Sequence, residues 1–310
     1  MRTVFFGTPE LAVPCLAAIA AEHDVTAVVC QPDRPKGRGK TLVPPPVKVW
    51  AVEHGIPVHQ PAKLNDGAFE TWLRDQAPEI CGIAAYGRLL KQPILDVPEQ
   101  GWLNVHPSLL PRYRGPSPIQ TAILNGDKTT GVTIMRLTLE MDAGDILLQE
   151  EVAIRDHDTS ASLSERLAER GAALLAQGFG LVASGQAVFT PQDPDRVTYC
   201  RLFEKEDGRI RWAEPAAAIH NLVRAAIPWP VAHCALQGEV FRIHRTEPVE
   251  SSAAAPPGTV VAVEADRMVV KAGEGAVAVL TIQAPGKRAL PMADFLRGRP
   301  IEVGARFEDL

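Results

Sequence analysis

Residues 1–30 read MRTVFFGTPELAVPCLAAIAAEHDVTAVVC. Val4-Phe5-Phe6 is a short apolar run of β type. Gly7-Thr8-Pro9-Glu10 then turns the chain, and Leu11, Val13, Leu16, Ala17 and Ile19 follow at helical spacing. Thr8 suits an N-cap, Pro9 the first helical position and Glu10 the positive end of the helix dipole. Val25–Cys30 (VTAVVC) is a second buried strand. Strand, turn, helix and strand in so short a span are the unit from which a parallel sheet is built.

The same alternation continues outward. Short strands are expected at Ile56–Val58, Ile80–Ala84, Trp102–His106, Gly131–Leu137 and Ile146–Ile154, with helical patterns over 44–54, 65–76, 116–125 and 160–184. This predicts an α/β fold, a Rossmann-like, doubly wound, mainly parallel sheet whose ligands sit at the carboxyl ends of its strands. Gly7-Thr8-Pro9 does not form a GxGxxG fingerprint, which argues against a nicotinamide cofactor. Pro191, Asp193, Pro194 and Asp195 punctuate a polar linker. Beyond it a helix over Glu214–Ala226 precedes five short strands, Ala232–Leu236, Val240–His244, Gly258–Val263, Met268–Ala272 and Ala276–Ile282, a pattern of a small OB-like β-barrel. The expected organisation is a catalytic domain over 1–189, a linker over 190–206 and a barrel domain over 207–310.

Composition agrees with two domains. The 310 residues are 46% hydrophobic and 22% charged, with a net charge of -5. No stretch approaches the roughly 20 apolar residues of a membrane span, and the N-terminus has no long apolar signal region. A cytoplasmic protein is expected. Cys15, Cys30, Cys81, Cys200 and Cys234 include no CxxC pair, so neither a disulfide framework nor a zinc site is expected.

The densest segment is Asn104-Val105-His106-Pro107-Ser108-Leu109-Leu110-Pro111-Arg112-Tyr113-Arg114-Gly115. Asn104 and His106 share one face of a strand end. An amide donor and an imidazole there suit the oxygen of an acyl group under attack, and a preorganised donor of this kind is worth roughly 3–4 kcal/mol. Taken alone, the pair equally suits a loop-capping asparagine and a satisfied core histidine. Gly131–Leu137 adds a strand, and Asp142 follows it in the turn Met141-Asp142-Ala143-Gly144-Asp145. A carboxylate beside an imidazole orients it and raises its pKa.

Several separate motifs together carry a resemblance. They are Gln31-Pro32-Asp33-Arg34-Pro35-Lys36-Gly37-Arg38-Gly39-Lys40 with Pro44-Pro45-Pro46-Val47-Lys48, Ala85-Tyr86-Gly87, the HPSLLPRYRG segment, and GVTIM with Asp142-Ala143-Gly144-Asp145. In the second domain Lys205, Gly208-Arg209-Ile210, Trp212 and Pro228-Trp229-Pro230 join them. Over essentially its full length the chain resembles the methionyl-tRNA formyltransferase family. The resemblance implies Asn104, His106 and Asp142 as the catalytic triad. It implies Ser108, Leu109, Leu110 and Pro111, with Tyr86 and Gly87, as the binding site of 10-formyl-tetrahydrofolate, the formyl donor. In this scheme Asn104 and a protonated His106 stabilise the oxyanion, Asp142 keeps His106 charged, and no metal is required. The basic loop, with Arg34, Lys36, Arg38 and Lys40, is implied to hold the methionyl-initiator tRNA, with Arg209 and Lys287 as candidates in the second domain. A monomer is expected from the resemblance.

Residues 31–48 hold five cations against Asp33 alone, a local excess within an acidic chain. Residues 201–310 hold 14 Lys and Arg and 14 Asp and Glu, which makes the second domain neutral. The chain also departs from the family before Asp142, where Leu139-Glu140-Met141 replaces a glycine-bearing approach. Three other readings compete: formyl transfer to a small free amine, hydrolysis of the formyl donor, and an inactive RNA-binding module. The basic loop and the barrel domain favour tRNA over a small amine, and the intact triad argues against a pure binder.

Overall fold

A computed structural model of the protein describes residues 1–36 and 41–310. Its contacts divide the chain into two units. The first comprises Met1–Pro118, Thr129–Ala153 and Ser164–Cys200, and the second Ile119–Lys128, Ile154–Leu163 and Arg201–Leu310.

The first unit is built on β1 (Arg2–Gly7), α1 (Val13–Glu22), β2 (Asp24–Val29), β3 (Arg34–Lys36), β4 (Thr41–Val43), α2 (Pro46–Glu53), β5 (Val58–His59), α3 (Ala68–Asp75), β6 (Ile80–Ala84), α4 (Gln92–Leu95) and β7 (Trp102–His106). Past α5 (Pro118–Leu124), which from Ile119 on belongs to the second unit, come β8 (Thr129–Arg136), β9 (Ile146–Ala153) and α6 (Ser160–Ala183), which belongs to the first unit from Ser164 on. The sheet order is β5-β2-β1-β6-β7-β8-β9. The first five strands run parallel, and β8 and β9 are antiparallel additions at one edge. This is the Rossmann-like sheet that the strand–helix alternation predicts.

Two local assignments fail: Pro9 is the N-cap of a 3₁₀ turn and not its first residue, and Thr8 is not a helix cap. Its hydroxyl donates to the Tyr86 carbonyl at 3.0 Å instead of capping a helix. A 3₁₀ turn over Glu10–Ala12 precedes α1, so the helix proper starts at Val13 and Thr8 is too early to reach its free N–H groups.

Both faces of the sheet are covered, and all five residues of β7 are therefore buried. Leu103 and Val105 point to the face on which α6 lies, against Gly178 and Gly171. Trp102 points to the other face, where Phe6, Phe69 and Tyr86 surround it in one apolar cluster. Asn104 and His106 continue that second face toward the strand's carboxyl end.

The second unit carries α7 (Ala216–Ala225), β10 (Ala232–Leu236), β11 (Glu239–Val249), β12 (Val260–Val263), β13 (Met268–Lys271), β14 (Ala276–Gln283), β15 (Leu290–Pro291), α8 (Met292–Gly298) and β16 (Phe307–Glu308). Its antiparallel sheet has the order β12-β13-β14-β11-β10-β16. The two edges meet: Val260 N–H donates to the Ala305 carbonyl and Phe307 N–H to the Gly258 carbonyl, each at 2.8 Å. Closure removes the free edges and makes the OB-like barrel. Trp212, Phe241, Phe295 and Phe307 fill its interior with Val223, Ile243 and Val279. The sequence pattern misses β15, α8 and β16, which are too short or too weakly patterned to stand out.

Candidate active site

Asn104 and His106 retain 9% and 4% of their exposure. Among the described residues the Asn104 side chain has no hydrogen-bond partner, so its amide is a nearly buried polar group with its capacity unspent. The His106 ring lies between two acceptors. Its Nε2 donates to the Tyr113 carbonyl at 3.0 Å, and its Nδ1 is 3.6 Å from Asp142 Oδ2. That carboxylate oxygen also accepts from the Gly115 N–H at 2.8 Å.

Two acceptors favour an imidazolium, but burial opposes it more strongly. The His106 imidazole titrates below its usual range, because desolvation outweighs the lift from the Asp142 carboxylate and the Tyr113 carbonyl. The charged imidazole expected from sequence is therefore not the resting form at pH 7. The lowered titration favours the neutral ring, and the Asp142 carboxylate stands 3.6 Å from its Nδ1.

Unusual backbone brings these groups together. Tyr113 and Asp142 sit at φ of 61° and 52°, in the left-handed region. At Gly115, φ is 125° and a Cβ would lie 2.2 Å from the Cys200 carbonyl oxygen, so only glycine fits where the backbone N–H meets Asp142. A Cβ on Gly144 would lie 1.9 Å from the Arg136 oxygen.

The Ser108–Pro111 segment is fastened from inside. Ser108 Oγ donates to the Arg112 carbonyl at 2.6 Å, and Thr133 Oγ1 donates to the Ser108 carbonyl at 2.7 Å. Gln149 Nε2 reaches the Leu110 carbonyl and Thr133 Oγ1 at 3.0 and 2.8 Å. Ser108 therefore shapes the loop with its hydroxyl. Leu110 and Pro111 are buried and Leu109 is half-buried. Tyr86 and Gly87 follow the carboxyl end of β6, beside β7 in the sheet. The Tyr86 ring is buried against Phe6, its phenol is pushed up to about 12 by that burial, and Gly87 has a φ of 79°. A cavity of about 230 Å³ opens in the same unit, lined by Leu95, Trp102, Arg136 and the Leu137–Leu139 strand exit that leads to Asp142.

The basic segment is anchored at its base. Lys48 Nζ bonds both carboxylate oxygens of Asp33 at 2.9 Å, and Gln60 bridges Asp33 and the Gln31 carbonyl. These hydrogen bonds hold the Asp33 carboxyl below its usual range. With Lys48 and Asp33 cancelling, the local excess falls wholly on 34–40. Arg34 is exposed on β3 and Lys36 ends that strand, while Arg38 and Lys40 lie outside the described residues. Arg209 and Lys287 are exposed in the second unit, the first after a 3₁₀ turn and the second in the turn between β14 and β15.

All five cysteines are buried and outside any disulfide. Burial pushes the Cys15 and Cys30 thiols up to about 12 and 11, which removes them as nucleophiles. Sequence reasoning missed Tyr113, Gly115, Thr133, Gln149 and Gln192 as site-building residues. The first two lie inside the HPSLLPRYRG segment it singled out, Thr133 lies inside GVTIM, and Gln149 and Gln192 carried no motif of their own.

An amide, an imidazole and a carboxylate gather at a parallel strand's carboxyl end, and comparison with known proteins places the chain among the formyl-group transferases. Residues 1–178 match the family described as Formyl transferase, and residues 203–300 match Formyl transferase, C-terminal domain. Two relatives are the methionyl-tRNA formyltransferases of Moorella thermoacetica, 44% identical with 98% of each chain covered, and Pelotomaculum thermopropionicum, 45% identical over 98% of this chain and 97% of its own. The protein belongs to the methionyl-tRNA formyltransferase family. Among solved structures, an N-formyltransferase from Helicobacter canadensis bound to folinic acid and dTDP-3-aminofucose shares the fold at 18% identity and a TM-score of 0.69, with 92% of this chain and 99% of that chain covered. HypX from Aquifex aeolicus with tetrahydrofolic acid does so at 20% identity and a TM-score of 0.64, covering 96% of this chain and 47% of its own.

Proposed function

We propose that this protein transfers the formyl group of 10-formyl-tetrahydrofolate to the α-amine of methionyl-initiator tRNA, in the cytoplasm and as a monomer. The observation that carries the reading is the buried Asn104–His106–Asp142 constellation in a chain that aligns end to end with methionyl-tRNA formyltransferases. Residues 1–189 act as the catalytic domain, 190–206 as the linker and 207–310 as the tRNA-binding domain.

The unspent Asn104 amide supports a polar ligand at the end of β7. Ser108–Pro111, Tyr86 and Gly87 would hold the folate, which supplies an activated formyl carbon. The Asn104 side chain donates to the formyl oxygen as negative charge gathers there. Neutral His106 takes the proton that the attacking amine must shed, and Asp142 stabilises the imidazolium so formed. The proton then passes to the departing nitrogen. A dry setting makes each contact stronger than it would be in water. Arg34, Lys36, Arg38, Lys40, Arg209 and Lys287 contact tRNA phosphates.

The test is transfer of labelled formyl from 10-formyl-tetrahydrofolate to methionyl-initiator tRNA, beside methionyl-elongator tRNA, small amines and water. Selective labelling of the initiator is expected. Labelling of a small amine, or release of free formate, overturns the acceptor while retaining the site chemistry.

A further inference from the structure

The polar segment after α6, which carries no recognised motif, reaches the candidate active site through one side chain. Gln192 Nε2 donates to the carbonyls of both Asp142 and Gly144 at 2.8 Å. Its Oε1 accepts from Arg114 Nε at 3.0 Å. Arg114 sits between Tyr113, whose carbonyl holds the His106 ring, and Gly115, whose N–H holds the Asp142 carboxylate. One amide therefore ties together the two backbone segments that carry and orient the ionisable groups.

We propose that Gln192 is a positioning residue that sets the separation of Asp142 from His106, an inference that rests on the catalytic reading above. The loop needs such a device. Asp142 holds a left-handed backbone, a conformation that non-glycine residues keep only when their surroundings enforce it. The loop's own backbone bonds lie to either side of this point, and the Gly115 N–H holds the Asp142 carboxylate, not its backbone. Arg136 N–H to the Asp145 carbonyl at 2.9 Å closes its far end, and Ala143 N–H to the Glu140 carbonyl is long at 3.4 Å. Arg114 also pairs with Glu140 at 3.2 Å, but that carboxylate is 72% exposed, so the pair is weak. The Gln192 segment is itself fixed to the same loop: Tyr113 N–H donates to Thr198 Oγ1, and Arg114 N–H to the Thr198 carbonyl, each at 2.9 Å.

Two variants separate the amide's donors from its shape. Gln192→Ala removes every contact. Gln192→Glu keeps the length and the acceptor for Arg114 but cannot donate to the two carbonyls. Both are expected to lower kcat about 10–100-fold, the effect of a misplacement near 1 Å, with KM for folate and tRNA within twofold. Because Asp142 raises the His106 pKa, its retreat should also move the imidazole titration, followed by NMR in the free protein, to lower pH. Wild-type kcat with an unmoved titration in either folded variant overturns the proposal, and so does a change confined to KM. Asp142→Asn, assayed in parallel, isolates the premise. If it stays active, the catalytic reading fails. If it is inactive while the Gln192 variants match wild type, only the role of Gln192 fails.

Discussion

Asn104 and His106 at the end of β7 are almost as inaccessible as Phe241 and Ile243 in β11 of the barrel. In β11 burial follows the pleat: Phe241 and Ile243 turn inward while Arg242 and His244 face out or sit half-exposed. In β7 every residue is buried, because the sheet is covered on both sides. An antiparallel barrel keeps polar groups wet simply by alternation. A doubly covered parallel strand leaves them nowhere wet to go, so a polar side chain there must be satisfied by design or reserved for a ligand. Desolvation that would be a defect in the barrel is, in the proposed mechanism, what strengthens the amide and the imidazole at the strand end.

The comparison breaks first on activity. His106→Ala and Asp142→Ala should each lower kcat by about 10²–10⁴-fold, and Asn104→Ala by about 10²–10³-fold, with thermal unfolding little changed. Single-turnover formyl transfer measures this, and near-full activity in any of the three removes that residue from the chemistry. The barrel should respond in the opposite way. Phe241→Ala opens a cavity against Phe295 and Phe307 and should cost about 3–5 kcal/mol in denaturant unfolding. Specific activity per folded molecule should hold.

The same contrast explains what was legible in the sequence. Hydrophobic period and turn residues place the longer strands of both units but not the short β3, β4, β15 and β16, because covered strands and alternating strands leave different but readable patterns only when they are long enough. Asn104, His106 and Asp142 were legible as polar residues interrupting strand ends. Their geometry was not. It depends on left-handed backbone at Tyr113 and Asp142, on the space left by Gly115 and Gly144, and on hydrogen bonds from Gln192 across 50 positions of chain. No local pattern encodes such contacts. The resting charge of His106 was misread for a related reason: the Asp142 partner is visible in sequence, whereas the completeness of burial is a property of the assembled sheet.

A smaller effect is expected at the basic segment. Asp33, the one acid of 31–48, is paired with Lys48, so the net positive charge of the segment is that of the cations in 34–40. Arg38→Ala should weaken tRNA binding and reduce the slope of log affinity against log salt by about 1. Folate affinity should stay unchanged. Equal salt slopes for variant and wild type would exclude Arg38 from the phosphate contacts.

The subtlest difference concerns acid. Burial holds His23, His59 and His106 of the first unit, and His220 of the second, below the usual histidine range. The unfolded chain takes up protons near pH 6.5 that these folded side chains refuse. Between that pH and the lower folded values the unfolded state binds more protons, so stability falls as pH is lowered through 6.5 and is fully present above it. The depressed carboxyls of Asp33 and Asp207 act only as pH approaches their ordinary value of 3.8 and do not enter this window. Calorimetric Tm should therefore drop between pH 7.5 and 5.5. Replacing His23, His59 and His106 together by Gln should flatten most of that slope, and His220→Gln should remove a smaller share. If the triple variant keeps the full slope, the cost of burying neutral imidazoles does not belong to the covered sheet. The distinction between a dry strand end and a half-wet barrel would then be one of chemistry alone, without a counterpart in stability.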